Sequence, residues 1–119
     1  MTDQTITAHY TEGSHGHLVE ALAAGIAALG ATPETIGPDA LAPAEEFHVG
    51  GRGATERFMG LLGFPAGAHL LDVGCGIGGC ARFMARRGHR VTGIDLTPAF
   101  IDAGRVVNGW QSLADRIEL

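Results

Sequence analysis

A carboxylate and a run of glycines stand close together in LLDVGCGIGG, which spans residues 70–79. Asp72 comes first, and the four glycines that follow it are Gly74, Gly76, Gly78 and Gly79. Glycine adopts dihedral angles that other residues avoid and carries no side chain, so such a loop lets the backbone approach a ligand closely and present free N–H groups to it. The segment therefore predicts a loop that holds a nucleotide-like molecule.

A second carboxylate, Asp95, lies near the end of the apolar run RVTGIDL, residues 90–96. At the carboxyl end of a parallel strand, an aspartate can accept hydrogen bonds from both hydroxyls of an adenosine ribose. The alternative role is that of a helix cap ahead of Pro98. Asp95 therefore favours adenosine binding without distinguishing one adenosine cofactor from another.

Two adenosine cofactors fit the loop. Gly74, Gly76 and Gly79 satisfy the G-x-G-x-x-G pattern of dinucleotide sites. Asp72 separates the two by charge, because a carboxylate beside the anionic pyrophosphate of NAD would be repelled by about a few kcal/mol at intermediate dielectric. S-adenosylmethionine instead carries a sulfonium and an ammonium, which a carboxylate attracts. We expect S-adenosylmethionine, with a merely backbone-capping Asp72 as the alternative.

The elements that must position these residues form a βαβ unit. HLLDVGC, residues 69–75, predicts a buried parallel strand, and residues 90–96 predict a second one. The helical stretch between them ends at Gly88, and the pair Thr97-Pro98 opens a further helix that reaches about Val107. RIEL at the end of the chain predicts the start of a third strand.

Upstream of this unit the pattern is helical. The predicted elements are an amphipathic helix from about Leu18 to Leu29, a proline-rich connector with at most short turns around Glu34 and Leu41, and a helix from about Ala54 to Leu62. Ser14 is available as a cap for the first helix, and Gly30 and Gly63 as stops for the two helices.

Composition excludes several kinds of protein. The chain has 119 residues, 45% of them hydrophobic, and neither a leader-like start nor an apolar run long enough to span a bilayer, so a single cytoplasmic domain without membrane contact is expected. All eight basic residues are arginine, which excludes a P-loop lysine and a Schiff-base lysine.

The first 50 residues hold seven carboxylates and no arginine, whereas the remainder holds six carboxylates and eight arginines, so no dense nucleic-acid footprint is present. The only two cysteines, spaced C-x4-C, fit neither a disulfide framework nor a zinc knuckle, and no metal site is predicted.

The motifs resemble those of class I S-adenosylmethionine-dependent methyltransferases. Their first motif, acidic-x-Gly-x-Gly-x-Gly, is matched from Asp72 to Gly78, and VTGIDLTPAFIDAGR, residues 91–105, resembles the segment that holds the adenosine. EEFHVGGRGATERF, residues 45–58, is similar to the segment that precedes the first strand in a bacterial subgroup of small-molecule methyltransferases related to ubiquinone-type and sarcosine-type enzymes.

The resemblance implies an α/β, Rossmann-like methyltransferase fold, cut off after the start of the third strand and preceded by a helical extension. Residues 1–64 would form a helical cap or lid, and residues 65–119 the first part of the cofactor-binding domain. The implied cofactor-binding residues are Asp72, Gly74, Cys75, Gly76, Gly78, Asp95 and Leu96, the last packing on adenine. Tyr10, His48, Gly51 and Arg52 are candidate lid contacts.

The implied function is methyl transfer from S-adenosylmethionine to a small-molecule acceptor, with no nucleic-acid or membrane partner. No catalytic base is identified, since the six histidines are scattered along the chain. An NAD-type oxidoreductase fragment and a non-catalytic half that needs a partner chain remain the alternatives. Because the family's fourth strand would flank the first, we expect an open edge there that favours a homo-oligomer or a partner chain.

Overall fold

A computed structural model describes residues 17–46 and 48–119. Its helices and strands follow in the order α1 (Leu18–Ala28), α2 (Pro38–Glu45), α3 (Gly51–Leu62), β1 (His69–Val73), α4 (Gly79–Arg86), β2 (Arg90–Ile94), α5 (Pro98–Trp110) and β3 (Ile117–Glu118). Within the described part of the chain, three helices thus precede the alternating β and α elements, which confirms the predicted α/β organisation.

The three strands form one parallel sheet in the order β1-β2-β3. The register places Asp72 beside Gly93 and Val73 beside Ile94, so β1 and β2 end at the same edge of the sheet. The βαβ unit expected from the sequence is therefore present, with α4 as its helix. RIEL contributes β3, which pairs with β2 through two residues.

One face of the sheet carries the main core. Leu70, Val91 and Ile117, one from each strand, are buried against α4, where Phe83 is 2% exposed. The opposite face is open among the described residues: Leu71 is 64% exposed. The prediction of a fully buried strand is thus wrong for this face, because alternate side chains of a strand point to opposite sides and α4 covers only one of them.

A second apolar cluster joins the upstream segment to α5. Ile26 of α1, Ile36, Leu41 of α2 and Val107 of α5 pack together, and Val107 is fully buried. The helical extension is consequently anchored on α5.

The prediction of only short turns around Leu41 is wrong, since α2 is an eight-residue helix with Pro43 inside it. Pro38 at its first turn has a backbone angle already suited to a helix, and Leu41 is 2% exposed, so tertiary burial offsets the missing backbone donor of Pro43.

Two helix boundaries also differ from the predictions. The α3 helix begins at Gly51 rather than near Ala54, after Gly50 in a left-handed conformation, and α5 continues to Trp110 rather than ending near Val107. The sequence predicts a later start because Gly51 and Gly53 have weak helix propensity. In the structure, tertiary contacts of neighbouring side chains override that propensity. The predicted stop at Gly63 is confirmed by its left-handed φ of 56°.

The predicted stop of α1 is likewise confirmed, as Gly30 has a φ of 75°. Ser14, its expected cap, lies outside the described residues, and His17 occupies the N-cap position. Within residues 17–46 and 48–119, none of the helices has the length and apolar character needed to cross a membrane.

Candidate functional site

The glycine loop connects β1 to α4 at the carboxyl end of β1. The N–H groups of Gly74 and Cys75 both donate to the carbonyl of Ile94, at 2.8 and 3.0 Å, which ties the start of the loop to the end of β2. Gly74, Gly76 and Gly78 all have positive φ, with values of 73°, 57° and 90°. The loop path therefore depends on glycine at these three positions.

Asp95 bonds directly to this loop. Its Oδ2 accepts a hydrogen bond of 2.9 Å from the N–H of Gly76, and its Oδ1 accepts one of 2.9 Å from the N–H of Thr97, the N-cap residue of α5. The carboxylate thus also organises the start of α5, in line with the alternative role considered for it. It holds the glycine loop and the strand end in one arrangement.

Asp72 is half-buried at the same edge of the sheet, and its Oδ2 is buried without a hydrogen-bond partner among the described residues. Burial, and then the nearby charge of Asp95, raise the pKa of the Asp72 carboxyl above its ordinary value. Two carboxylates at one sheet edge, one of them with an unused oxygen, make this region attractive to a cation.

The glycines of the loop differ in their surroundings. A side-chain carbon built on Gly74 or Gly76 would meet nothing within 4 Å, so a ligand could approach the backbone there. A carbon on Gly78 would lie 3.0 Å from the guanidinium of Arg82, and one on Gly79 would lie 2.6 Å from Glu45. Gly74 and Gly76 border open space, whereas Gly78 and Gly79 are packed against protein.

The two remaining members of the predicted site differ in exposure. Cys75 is buried, and burial followed by the charges of Asp72 and Asp95 raises the pKa of its thiol to about 11. Its thiol contacts the carbonyl of Gly76 at 3.6 Å, so the side chain is directed into the loop. Leu96 is 55% exposed beside Asp95, as expected of a side chain that could cover a flat ring.

Among the candidate lid residues, Tyr10 lies outside the described residues. Arg52 donates from Nε to Oε2 of the buried Glu46 at 2.6 Å, and His48 lies beside the same carboxylate at 4.0 Å. Gly51 starts α3, and an added side-chain carbon there would approach the carbonyl of Glu46 at 4.0 Å. The structure therefore gathers these residues around Glu46 rather than around the glycine loop.

Glu46, His48, Thr55 and Cys80 form a cluster that sequence reasoning did not predict, hereafter the Glu46 cluster. The Thr55 hydroxyl donates to Oε1 of Glu46 at 2.6 Å and lies 3.1 Å from Nε2 of His48, and the Cys80 sulfur is 3.8 Å from that nitrogen. Glutamate, histidine and cysteine are donor types that zinc accepts. Here the Thr55 hydroxyl lies between them and bonds to the carboxylate.

No spacing pattern could have predicted the Glu46 cluster, because Cys80 follows Glu46 by 34 residues and only folding brings the two together. His48, Thr55 and Cys80, together with Asp72, line part of a mainly apolar groove of about 690 Å³ between α3 and β1. The apolar part includes Phe58 and Leu71.

Comparison with known proteins finds a matching family profile for part of the chain. The sequence profile described as "Methyltransferase domain" matches residues 70–118. The segment from β1 to β3 is thus similar to a methyltransferase domain. This segment, hereafter the methyltransferase segment, contains the glycine loop, Asp72 and Asp95. The Glu46 cluster lies largely upstream of it.

Relatives share this segment. The chain is 42% identical over 50 residues to the S-adenosyl-L-methionine-dependent Diels-Alderase iccD of Talaromyces variabilis. The alignment covers 42% of this chain and 17% of that protein. It is 43% identical over 54 residues to the malonyl-[acyl-carrier protein] O-methyltransferase of Serratia marcescens, covering 45% of this chain and 21% of the relative.

A solved structure shares the fold and part of the sequence. Geranyl diphosphate C-methyltransferase from Streptomyces coelicolor A3(2), crystallised with Mg²⁺, geranyl-S-thiolodiphosphate and S-adenosyl-L-homocysteine, aligns with a TM-score of 0.52 and 33% identity, over 55% of this chain and 24% of that one. The Rossmann-like methyltransferase fold expected from the sequence is thereby confirmed for the shared part. The chain spans between about a sixth and a quarter of the length of these proteins.

Proposed function

We propose that this chain binds S-adenosylmethionine and supplies the cofactor-binding part of a methyltransferase that acts on a small molecule. The observation that carries the proposal is the joint placement of Asp72, Asp95 and an accessible glycine loop at the carboxyl edge of two adjacent parallel strands. Open α/β sheets bind their ligands at this edge.

The described residues fit the parts of this cofactor. Asp95 would accept from the ribose hydroxyls, Leu96 would cover the adenine ring, and the backbone of Gly74 and Gly76 borders the space where the methionine part would lie. The unpartnered Oδ2 of Asp72 suits a ligand ammonium. Cys75 and Gly78, the other residues of the proposed set, contribute through the loop backbone.

The charge of the site supports S-adenosylmethionine over a dinucleotide. Burial, and then the charge of Asp95, raise the pKa of the Asp72 carboxyl, so the site disfavours negative charge and a further anion above the loop would be repelled. A sulfonium with an ammonium would be attracted by the same carboxylates.

When bound, the cofactor supplies an activated methyl group on a positively charged sulfur that is a good leaving group. The chain itself orients that group: Asp95 and Leu96 fix the adenosine, and the glycine loop fixes the other end. Catalysis by orientation needs no protein nucleophile.

The acceptor is proposed to be a small molecule. Among the relatives, one acts on a malonyl group on its carrier protein, and the solved structure holds a geranyl diphosphate analogue, according to their names. A cytoplasmic site of action and the absence of nucleic-acid and membrane partners complete the proposal, supported by two free cysteines among the described residues and the net charge of −5.

Isothermal calorimetry with S-adenosylhomocysteine and with NAD tests the proposal. We expect S-adenosylhomocysteine to bind and NAD not to bind. Binding of NAD alone would support the oxidoreductase alternative. A second assay, transfer of a labelled methyl group to a panel of small hydroxyl, amine and carbon acceptors, tests whether the chain alone is active.

A further inference from the structure

Arg82 of α4 is a fully buried arginine at the centre of the molecule. Its Nε donates to Oε1 of Glu45 at 2.9 Å, and its Nη1 donates to Oδ1 of Asn108 at 2.7 Å. Its Nη2 donates to the carbonyl of Ile77 at 2.6 Å. One guanidinium thus connects α2, α5 and the glycine loop.

The contact with Ile77 acts on the loop itself, since Ile77 lies between Gly76 and Gly78. Asp95, at the end of β2, holds the N–H of Gly76, and Arg82 of α4 holds the carbonyl of Ile77. The two charged side chains therefore fix two peptide groups of the loop, Cys75–Gly76 and Ile77–Gly78.

Close packing reinforces this arrangement. A side-chain carbon on Gly104 of α5 would lie 2.8 Å from the carbonyl oxygen of Ile77, and one on Gly79 would lie 2.8 Å from that of Glu45. Only glycine allows α5 and α2 to approach the loop this closely. The loop has no room to relax toward either helix.

The buried pair of Glu45 and Arg82 is a poor source of stability. Both side chains are fully buried, and Oε2 of Glu45 has no hydrogen-bond partner among the described residues. Burial lowers the pKa of Arg82, against the opposing charge of Glu45. Apolar residues of similar volume often stabilise a protein as well as such a pair does. The guanidinium offers what an apolar residue lacks, a directed donor to the Ile77 carbonyl.

We propose that Arg82 is a positioning residue that holds the glycine loop in its ligand-binding conformation through the carbonyl of Ile77, and that Glu45 links α2 to the loop through it. Of the two measurements that test this proposal, binding of S-adenosylhomocysteine rests on the proposed function. Amide hydrogen exchange of the loop does not.

Three variants test the proposal. Arg82→Met removes the charge and all donors, and Arg82→Lys keeps a charge for Glu45 without the guanidinium fork. Glu45→Met combined with Arg82→Met replaces the buried pair by apolar side chains. The control is Ile26→Ala, which destabilises the separate cluster between α1 and α5 without touching the loop.

Amide hydrogen exchange of residues 74–79 is measured without ligand, at a fixed interval below each variant's thermal midpoint. We expect loop exchange at least tenfold faster in Arg82→Met and Arg82→Lys than in Ile26→Ala. The double variant should regain thermal stability relative to Arg82→Met while its loop still exchanges fast. If Arg82→Met does not fold, Arg82→Lys and the double variant carry the test.

Calorimetry with S-adenosylhomocysteine is the second readout, and we expect at least tenfold weaker binding in the Arg82 variants than in Ile26→Ala. Loop exchange equal to that of Ile26→Ala would overturn the proposal and show a purely structural role. Wild-type protein that fails to bind S-adenosylhomocysteine, with fast loop exchange in the Arg82 variants, would contradict the proposed function and leave the positioning role supported.

Discussion

Asp72 and Asp95 show how two similar residues at one sheet edge come to differ. Asp95 uses both oxygens on backbone N–H groups, of Gly76 and Thr97, whereas one oxygen of Asp72 is buried and unpaired. Hydrogen bonds to a carboxylate favour its charged form, and burial disfavours it. The chain therefore retains at Asp72 an ionisable group whose surroundings lower stability, as binding sites commonly do.

The first prediction concerns Asp72→Asn. Because the pKa of Asp72 is raised above 3.8 in the folded protein, the folded state holds this proton more tightly than the unfolded chain does. As the pH rises from the pKa of the unfolded chain through the higher pKa of the folded protein, the Asp72 carboxyl therefore lowers the free energy of unfolding. This loss of stability is complete at neutral pH. Asp72→Asn should then stabilise the protein at pH 7 by about 0.5 to 2 kcal/mol.

Chemical denaturation at pH 7 and at pH 3.5 measures this effect, which should shrink at the lower pH. The matched control, Asp115→Asn, changes an exposed aspartate and should leave stability unchanged. The same Asp72→Asn variant should bind S-adenosylhomocysteine more weakly. A variant that is no more stable than wild type at pH 7 would contradict the role of burial.

The second prediction is that Asp95→Ala weakens S-adenosylhomocysteine binding by about 1 to 3 kcal/mol, since it removes a charged acceptor for the ribose and the anchor of Gly76. Calorimetry is the measurement. The control is Asp102→Ala, which removes an exposed aspartate paired with Arg105 on α5. Equal affinity of Asp95→Ala and wild type would exclude Asp95 from the site.

At the scale of elements, glycines determine how closely the helices approach the loop. Gly79, the first residue of α4, packs against Glu45 at the end of α2, and Gly104 of α5 packs against Ile77. These contacts join α2 to the methyltransferase segment and hold α5 against the glycine loop within that segment. The upstream helix α2 is thus part of the framework of the candidate site.

The third prediction compares two glycine-to-alanine changes in helices. Gly79→Ala should destabilise the protein by about 1 to 3 kcal/mol, because its new carbon would lie 2.6 Å from a Glu45 side-chain carbon. Gly60→Ala in α3, where nothing lies within 4 Å, should stabilise it by up to about 1 kcal/mol through helix propensity. Urea denaturation measures both, and two changes of the same sign would disprove the packing argument.

At the scale of the whole molecule, the described residues cover only one side of the sheet. Among the described residues β1 pairs with β2 alone, and Leu71, Val73 and Ile94 are 64%, 71% and 50% exposed on the uncovered face. A free parallel edge beside an exposed apolar face favours association with another chain.

The fourth prediction follows from this surface. The chain should self-associate in a concentration-dependent way, and Leu71→Lys should weaken that association roughly tenfold, or about 1.4 kcal/mol. Leu29→Lys, which changes a leucine that is 67% exposed at the end of α1, is the control and should have no such effect. Light scattering after size-exclusion chromatography reads out both. A wild-type chain that stays monomeric up to high concentration would count against an open edge.

The sequence alone determined the methyltransferase segment, because its information is local. Glycine spacing, two short apolar runs and the positions of Asp72 and Asp95 follow from neighbouring residues, and the strands, the loop and α4 lie where they predict. The stops at Gly30 and Gly63 are equally local, since each needs only a residue that tolerates a left-handed conformation.

Tertiary structure decided what depends on residues far apart in the chain. Pro43 argues against a helix until the burial of Leu41 is known, and Arg82 resembles any surface arginine of a helix until Glu45, Asn108 and Ile77 surround it. The Glu46 cluster likewise has no signature in the sequence. Local patterns set backbone conformation, whereas the partners and the protonation of buried polar groups are set by packing between distant segments, which no spacing along the chain reveals.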